Sequence, residues 1–466
     1  MSGAATSPQF AAQRMAAFAS SLEFASLPPA VTDAARLHLL DAIGVGLAAA
    51  STQTRPRLEH AVAALGRGDE STGFGVRQPL PAPAAALLNG SFIHALEYDD
   101  THMASVIHAS AVLASAALGV AERERSAGAE LLAAYVAGWE IITRVGMAAP
   151  KAFHARGFQP TAVAGAPVAA IVAGRLMGLD AATLACAAGI AGSQASGIFE
   201  FVSDGATVKM LHGGWPAHAG IMAAELARSG LTGPASVFEG ERGILRAFTG
   251  DTECANALAL ELDDLGERWL LPEASFKPYP CCHFIQAAIE CAHRIVNMGV
   301  DVHDVAEIEC ELPGEVAWLV CDPWDAKLDP ASGHVAKFSL PYCLAAVFMD
   351  GQVDVDTFDR TRPDPRLRPL MQRISYRPMP DSGFPDRYPA RLQVRTRKGA
   401  LHEAEVMDVH GARQRPFSNE DVYAKFRRNA ARTLDDRSVE RVIGAIEALD
   451  RAADLTTLAR ALRSVT

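Results

Sequence analysis

The stretch that decides the fold is NGSFIHALEYDDTHMASVIH, residues 89–108. It holds Glu97, Asp99, Asp100, Thr101 and three histidines, and apolar segments rich in alanine, leucine and valine lie on both sides of it. Ionisable side chains are rarely fully buried unless they are paired or functional. We therefore expect this polar loop to form one wall of an active site, held between apolar helices.

Apolar residues at helical spacing recur through the first half of the chain, and no strand-like alternation is found before about residue 265. From Pro272 the pattern changes to short alternating runs mixed with helical segments, and from Ser418 it returns to helix. The predicted helices of the first half cover residues 29–50, 83–93, 110–125, 129–147, 161–177 and 181–193. The predicted strands cover residues 305–312, 374–377, 390–396 and 403–409, and the last helices cover residues 421–434 and 438–448.

This order predicts a mainly α protein, with a large all-α helical domain built from both chain ends and an inserted α+β lid domain. The expected boundaries are residues 1–271 and 409–466 for the helical domain and residues 272–408 for the lid domain.

Composition restricts the class of protein. The 466 residues include 49% hydrophobic and 21% charged residues, as in an ordinary soluble globular protein. The net charge of −11 argues against a nucleic-acid partner. No run approaches the ~20 apolar residues that a membrane span needs, and no signal peptide is recognised at the start. Eight cysteines without a CxxC pair indicate neither a disulfide framework nor a zinc site, so a cytoplasmic location is expected.

Three polar clusters, residues 97–108, 154–160 and 204–215, each precede an apolar helix that is expected to begin at Ser110, Thr161 or Pro216. Helix N-termini present free N–H groups and a partial positive charge, which favour carboxylates and phosphates. If the three ends meet in space, they form a site for a polyanion.

Two further groups carry candidate ligand-binding side chains. Lys209 and His212 lie three residues apart and would share a helix face, where the lysine could bind a carboxylate or act as a base. A solvated lysine at a helix end is an equally good interpretation. The segment KPYPCCH, residues 277–283, stands at the expected domain boundary, where ligand sites often lie, although it could also be a proline-rich linker.

Two other interpretations apply to the opening loop. Asp99 and Asp100 could simply cap a turn. Alternatively, Asp99, Asp100, His102 and His108 could hold a metal ion in a metal-dependent hydrolase. No dinucleotide, P-loop or hydrolase-elbow signature is found.

Six segments together resemble the MmgE/PrpD family, in order and over about residues 20 to 450. They are NGSFIHALEYDDTH at 89–102, GFQPTAVAGAPVAA at 157–170, DGATVKMLHGG at 204–214, KPYPCC at 277–282, AKFSLPYCLA at 336–345 and RPFSNEDVYAKF at 415–426. The resemblance implies a helical domain formed by both chain ends, a lid domain between them, no cofactor or metal, and a homodimer. The family includes 2-methylcitrate dehydratase, cis-aconitate decarboxylase and iminodisuccinate epimerase.

By similarity, the reactive positions of the family fall on Glu97, Thr101, His108, Lys209 and His212. Asp100 or Glu97 is expected to orient His108 as general acid or base. The substrate-binding set is completed by residues of the second cluster and of the KPYPCCH segment: Gln159, Thr161, Lys277, Cys282 and His283.

Gln159 is the largest departure from the family pattern. Relatives typically have a histidine in this motif, and glutamine cannot transfer protons near neutral pH. Gln286 and His283 also stand where many relatives have histidine and arginine. The loss of a histidine should harm an epimerase that uses two opposed bases most.

The expected function is a cofactor-independent lyase that acts on a small di- or tricarboxylate. A hydro-lyase of the 2-methylcitrate dehydratase type leads, and it abstracts a proton α to a carboxylate. The alternatives are an isomerase or epimerase of an imino- or amino-dicarboxylate, a cis-aconitate-type decarboxylase, the metal-dependent hydrolase and a non-catalytic carboxylate-binding protein.

Overall fold

Helices dominate the computed structural model, which describes residues 9–463. The first part of the chain contains helices α1 (Ala11–Ser21), α2 (Pro29–Ala50), α3 (Arg55–Ala63), α4 (Ala82–Ala95), α5 (Ala109–Arg123), α6 (Gly128–Met147), α7 (Ala152–Ala155), α8 (Pro160–Leu176), α9 (Ala181–Gly192), α10 (Phe201–Asp204), α11 (Leu211–Arg228), α12 (Ile244–Thr249) and α13 (Glu253–Glu261). The remainder contains α14 (Gln286–Asn297), β1 (Val305–Pro313), α15 (Ala317–Val320), α16 (Trp324–Leu328), α17 (Gly333–Ala336), α18 (Leu340–Asp350), α19 (Val355–Phe358), α20 (Arg368–Met371), β2 (Ile374–Met379), β3 (Ala390–Thr396), β4 (Leu401–Val406), α21 (Asn419–Ala430), α22 (Asp436–Glu447) and α23 (Thr456–Leu462).

Alanine and glycine let the central helices approach closely. A Cβ atom added to Gly90 of α4 would lie 2.7 Å from the Gly214 Cα atom of α11 and 2.8 Å from the Ala111 carbonyl oxygen of α5. These helices therefore meet backbone to backbone, and this packing requires small residues at the crossing. It fixes the two chain segments that carry Glu97 and Lys209 next to each other.

The four strands form one sheet in the order β2-β1-β3-β4. Strand β1 pairs in parallel with β2 and antiparallel with β3, and β3 pairs antiparallel with β4. The β3–β4 hairpin turns at Gly399, whose φ of +86° suits glycine. Helix α14 packs against β3 and β4 of this sheet, and α18 packs against α14 in the same hydrophobic cluster.

Two large hydrophobic clusters hold most of the buried apolar residues. The first unites the helices before residue 275 with α21 to α23, and the second lies between residues 281 and 406. The C-terminal helices return to α2, where Lys425 Nζ lies 2.8 Å from Asp41 Oδ1 in a buried ion pair. Lys425 Nζ also donates to the carbonyl oxygen of Tyr98 at 3.0 Å, so the C-terminal helices touch the polar loop.

The mainly helical fold with a small sheet in its later part is confirmed. All six predicted helices of the first half exist within two residues of their expected ends, and three of the four strands start where they were predicted. The fourth strand, β4, begins and ends earlier than predicted. The domain boundaries and the closure of the α+β part as a lid stay predictions.

The predicted starts of the three helices that follow the polar clusters were wrong. Ser110 and Thr161 do not cap their helices, because α5 is preceded by His108 and α8 is capped by the side chain of Gln159. The third helix begins at Leu211 rather than at Pro216, so Pro216 lies inside α11. The Ser418–Asp421 capping box of α21 is present as expected.

Within residues 9–463 no single helix is long and apolar enough to cross a membrane. Helices α2 and α3 satisfy the length and composition criteria only as a pair, and that pair is bent by 97°.

Candidate active site

A cavity of about 400 Å³ lies between the helical part and the α+β part. The structure brings eight of the predicted site residues to its wall: Glu97, Thr101, His108, Gln159, Lys209, Lys277, Cys282 and His283. These residues come from four separate chain segments, and the cavity therefore exists only in the folded molecule.

Glu97 and Lys209 form a buried ion pair on this wall. Glu97 Oε2 accepts a hydrogen bond from Lys209 Nζ, and both side chains are more than nine-tenths buried. Lys277 Nζ donates to the backbone oxygen of Glu97 at 3.0 Å. Burial opposes ionisation of the Glu97 carboxyl, but the charges of Lys209, Lys277 and His94 outweigh it and lower its pKa to about 2. The carboxylate is therefore ionised, and its Oε1 atom has no partner among the described residues.

His108 is held in one orientation. Its Nδ1 atom lies 2.9 Å from the backbone oxygen of Asp100 and 3.1 Å from Thr101 Oγ1, and its backbone N–H donates to Thr161 Oγ1 at 2.9 Å. Because a carbonyl oxygen only accepts, Nδ1 carries the proton and Nε2 is the basic nitrogen. Burial lowers the pKa of His108 to about 3, although the nearby Asp99 opposes this effect.

Asp99 lies behind His108 and was not among the predicted catalytic residues. Its Oδ2 atom accepts a hydrogen bond from His94 Nδ1 at 2.7 Å and lies 3.8 Å from His108 Nδ1. Burial opposes ionisation of Asp99, but His94 and His108 hold its pKa below the usual range. The result is an ionised carboxylate that faces the protonated edge of the His108 ring. The sequence carries one indication of this role, because Asp99 lies in the acidic run of the polar loop.

Backbone strain concentrates at this cavity. Within residues 9–463 five non-glycine residues have positive φ, and three of them line the cavity: Glu97 at +56°, Val106 at +53° and Lys151 at +64°. This conformation is unfavourable for a β-branched residue such as valine. Strain of this kind costs about 1–3 kcal/mol per residue and is typical of functional sites.

Three predicted site residues lie outside the cavity. The Asp100 carboxylate accepts hydrogen bonds from His38 at 2.9 Å and from the Ser110 hydroxyl, so it orients His108 only through its backbone oxygen. Thr161 is fully buried and bonds the His108 backbone. His212 faces a second, open cavity beside Trp215.

The side-chain carbonyl of Gln159 has a structural role. Its Oε1 atom accepts from the Ala162 N–H at 3.0 Å and caps helix α8. The Nε2 group makes no hydrogen bond that the structure records and lies at the cavity wall.

The KPYPCCH segment enters the cavity from the α+β side. Burial raises the pKa of the Cys282 thiol to about 12, so Cys282 is protonated and is no nucleophile. Burial and the charge of Lys277 lower the pKa of His283 well below its usual value. Neither ring nitrogen of His283 has a hydrogen-bond partner among the described residues.

The side chains of the metal-site alternative do not converge. Asp100 bonds His38, while His102 Nδ1 pairs with Ser105 Oγ at 2.9 Å. In the described part of the chain no group of three or more His, Cys, Asp or Glu side chains is arranged to hold a metal ion.

Sequence reasoning missed the aromatic half of the cavity. Phe199 and Phe201 from the helical part face Trp318, Phe338 and Phe384 of the α+β part. Only Phe338 lies in a recognised motif, AKFSLPY, whereas the others lie in loops or in the four-residue helices α10 and α15, which no sequence motif marks.

The chain matches two models of known protein families. The MmgE/PrpD N-terminal domain matches residues 13–256, and the MmgE/PrpD C-terminal domain matches residues 279–451. The chain belongs to the MmgE/PrpD family, which confirms the resemblance.

Several curated relatives match along almost their whole length. The chain is 27% identical to the cis-aconitate decarboxylase-like protein oryM of Aspergillus oryzae, with 94% of each chain covered. It is 24% identical to a cis-aconitate decarboxylase of Aspergillus terreus, over 95% of this chain and 93% of the relative. It is 27% identical to the cis-aconitate decarboxylase of Homo sapiens, over 95% of this chain and 92% of the relative.

Proposed function

We propose that the protein is a lyase of the MmgE/PrpD type that needs no cofactor and acts on a small carboxylate, with decarboxylation as its first candidate reaction. The observation that carries the proposal is the buried Glu97–Lys209 ion pair beside a neutral, oriented His108. This arrangement combines a fixed cation for a carboxylate with a group that moves a proton. The names of the relatives support decarboxylation over the dehydration that the sequence favoured.

The proposed roles follow from the contacts. Lys209 and Lys277 bind a substrate carboxylate, and Thr101 and the Gln159 Nε2 group donate hydrogen bonds to the substrate. The C–C bond to a second carboxylate breaks, CO2 leaves, and the electron pair stays on the carbon. His108, protonated from solvent, delivers a proton to that carbon through Nε2. Asp99 stabilises the transient imidazolium.

The aromatic side chains of the cavity support decarboxylation as the reaction. The charge of a carboxylate spreads as CO2 leaves, and weakly solvating surroundings disfavour the compact ground-state charge more than the dispersed transition state. Phe338 lies beside the site, since Lys209 Nζ is 5.3 Å from its ring centroid.

The test is an NMR assay in deuterated water with a panel of carboxylates that includes cis-aconitate and 2-methylcitrate. Decarboxylation gives CO2 and one incorporated deuterium, whereas dehydration gives an alkene without loss of a carboxyl group. His108→Gln should lower turnover at least about 10²-fold while the circular dichroism spectrum stays native. Turnover near that of the natural protein in this variant would contradict the role of His108.

Dehydration stays the second candidate, because a neutral His108 can also abstract a proton α to a carboxylate. Exchange of a substrate C–H for deuterium without net reaction would instead indicate an epimerase. Binding without any product would indicate a carboxylate-binding protein. Activity that a chelator removes would indicate the metal-dependent hydrolase.

We further propose that the protein forms a homodimer. Of the thirteen large apolar side chains that are exposed within residues 9–463, seven lie between residues 198 and 231. Trp215, Met222 and Leu226 share one face of α11, and Trp215 lies with Ile198 and Val208 around the open second cavity. Such a concentration on one surface is typical of an interface.

A second copy is the partner that fits this surface, since an isologous contact buries the same apolar patch twice. Analytical ultracentrifugation should give a dimer, and Met222→Lys should shift it to monomer. A monomer at micromolar concentration of the unmodified chain would contradict the proposal. A cytoplasmic location is also proposed, because all eight cysteines are free.

A further inference from the structure

The cavity has an apolar half with which a small carboxylate substrate would make no direct contact of the kinds proposed above. Phe199 of the helical part and Trp318 of the α+β part meet across the opening with ring centroids 6.5 Å apart. Phe338 and Phe384 continue this wall inward, and Phe384 lies 5.5 Å from Tyr388. A substrate made only of carboxylates and a short carbon chain leaves these rings without a partner.

The charge on the wall is small. Three lysines and two glutamates line the cavity, and no arginine does. The three histidines on the wall have lowered pKa values, His108 at about 3, His154 at about 4 and His283 well below the usual value, because burial disfavours the imidazolium. They are neutral near pH 7. Lys209 is already paired with Glu97, and the three lysines against the two glutamates leave the wall a net charge of +1, too little to balance three carboxylates.

The volume of the cavity also favours a substrate with a sizeable apolar group. Its volume of about 400 Å³ lies in the range of about 300–1,000 Å³ that is typical of sites for drug-sized organic ligands. Such sites are mostly apolar, with a few polar groups that fix the orientation of the ligand. Here the polar groups Glu97, Lys209 and Lys277 cluster together, and the aromatic rings begin next to them at Phe338, whose ring centroid lies 5.3 Å from Lys209 Nζ.

We propose that the natural substrate is a dicarboxylate whose carbon skeleton carries an apolar alkyl or aryl group of about four carbons or more. The carboxylate lies at Lys209 and Lys277, and the apolar group lies between Phe199, Trp318 and Phe338. This inference rests on the proposed function and narrows its substrate class.

The test is calorimetric binding of succinate, of 2-methyl-, 2-butyl- and 2-hexylsuccinate, of benzylsuccinate and of propane-1,2,3-tricarboxylate. Affinity should rise about fourfold per added methylene until the apolar half is filled. The tricarboxylate should bind no more tightly than succinate. The proposal is overturned if succinate or the tricarboxylate binds more tightly than butylsuccinate, or if no member of the series binds.

Variants locate the apolar group. Trp318→Ala and Phe338→Ala should each reduce the ratio of butylsuccinate to succinate affinity at least about fivefold. Met298→Ala is the control, because Met298 belongs to the same part of the molecule, is 55% exposed, compared with 50% for Trp318, and does not line the cavity. An unchanged ratio in both cavity variants would overturn the proposal.

Binding and turnover separate this inference from the proposed function. If substituted succinates bind in the expected order but no acid reacts in an NMR panel extended to unsaturated and hydroxylated dicarboxylates with butyl or benzyl groups, the lyase proposal fails and the ligand class stands. If a small tricarboxylate reacts and binds most tightly, the lyase proposal stands and the ligand class fails.

Discussion

At the scale of single residues, the site depends on charges that the protein has removed from water. The Glu97–Lys209 pair is buried, and Glu97 also has a strained backbone. Removal of one partner of a buried ion pair typically costs about 3–5 kcal/mol, because the other charge is left uncompensated. Replacement of both partners by uncharged groups is much less harmful. Stability and activity should therefore respond differently to single and double changes at this pair.

Lys209→Met should lower the free energy of unfolding by about 3–5 kcal/mol, because Glu97 then has no counter-charge. It should also lower turnover at least about 10³-fold, because the cation that binds the substrate carboxylate is lost. The double variant Glu97→Gln with Lys209→Met should recover most of the stability and none of the turnover. Urea unfolding and the NMR assay measure the two effects. Recovery of turnover in the double variant would refute the role of Lys209.

At the scale of the elements, the site depends on helices that touch through glycine. A Cβ atom added to Gly214 of α11 would lie 2.1 Å from the Leu87 carbonyl oxygen and 2.4 Å from Ser91 Oγ, both of α4. Helix α4 leads directly into the polar loop and α11 follows Lys209, so this contact sets the distance between Glu97 and Lys209. The carbonyl is part of a helix backbone and cannot rotate away.

Gly214→Ala should destabilise the protein by about 1–3 kcal/mol and also reduce turnover, because α4 and α11 must separate. Gly444→Ala is the matched control, since Gly444 lies in α22 and a Cβ atom there meets nothing within 4 Å. Helix propensity predicts that this control gains up to about 1 kcal/mol of stability. Equal effects of the two substitutions in thermal unfolding would show that the α4–α11 contact is not close.

At the scale of the whole molecule, folding keeps several histidines neutral. Burial lowers the pKa of His102 to about 4 and the pKa values of His108 and His212 to about 3, from an ordinary value of 6.5. An unfolded histidine therefore binds a proton at a higher pH than the folded one. Their contribution to stability is complete above pH 6.5 and is lost as the pH falls through 6.5 towards 3–4.

The free energy of unfolding should thus fall between pH 7.5 and pH 5, by about 1.4 kcal/mol per histidine for each pH unit below the ordinary value. Urea unfolding at a series of pH values measures the slope. His102→Gln, outside the cavity, should make the slope shallower because one buried histidine is removed. A stability that does not change from pH 7.5 to pH 5 would contradict this account.

The sequence by itself determined the elements and most of the polar wall. Helical periodicity places the helices, and alternation places β1 and β3, because these signals are local. The motifs bring Glu97, Thr101, His108, Lys209 and Lys277 to attention, and all five line the cavity.

Only the tertiary structure decided which nearby polar residues serve the cavity and which serve the scaffold. Asp100 and Thr161 stand beside site residues in sequence, yet the fold turns them to His38 and to the His108 backbone. Trp318 and Phe384 come to the site through long-range packing, which sequence separation conceals. The reason is physical: local patterns fix which face of an element is apolar, whereas the distance between side chains from different segments is set by how closely the helix backbones pack.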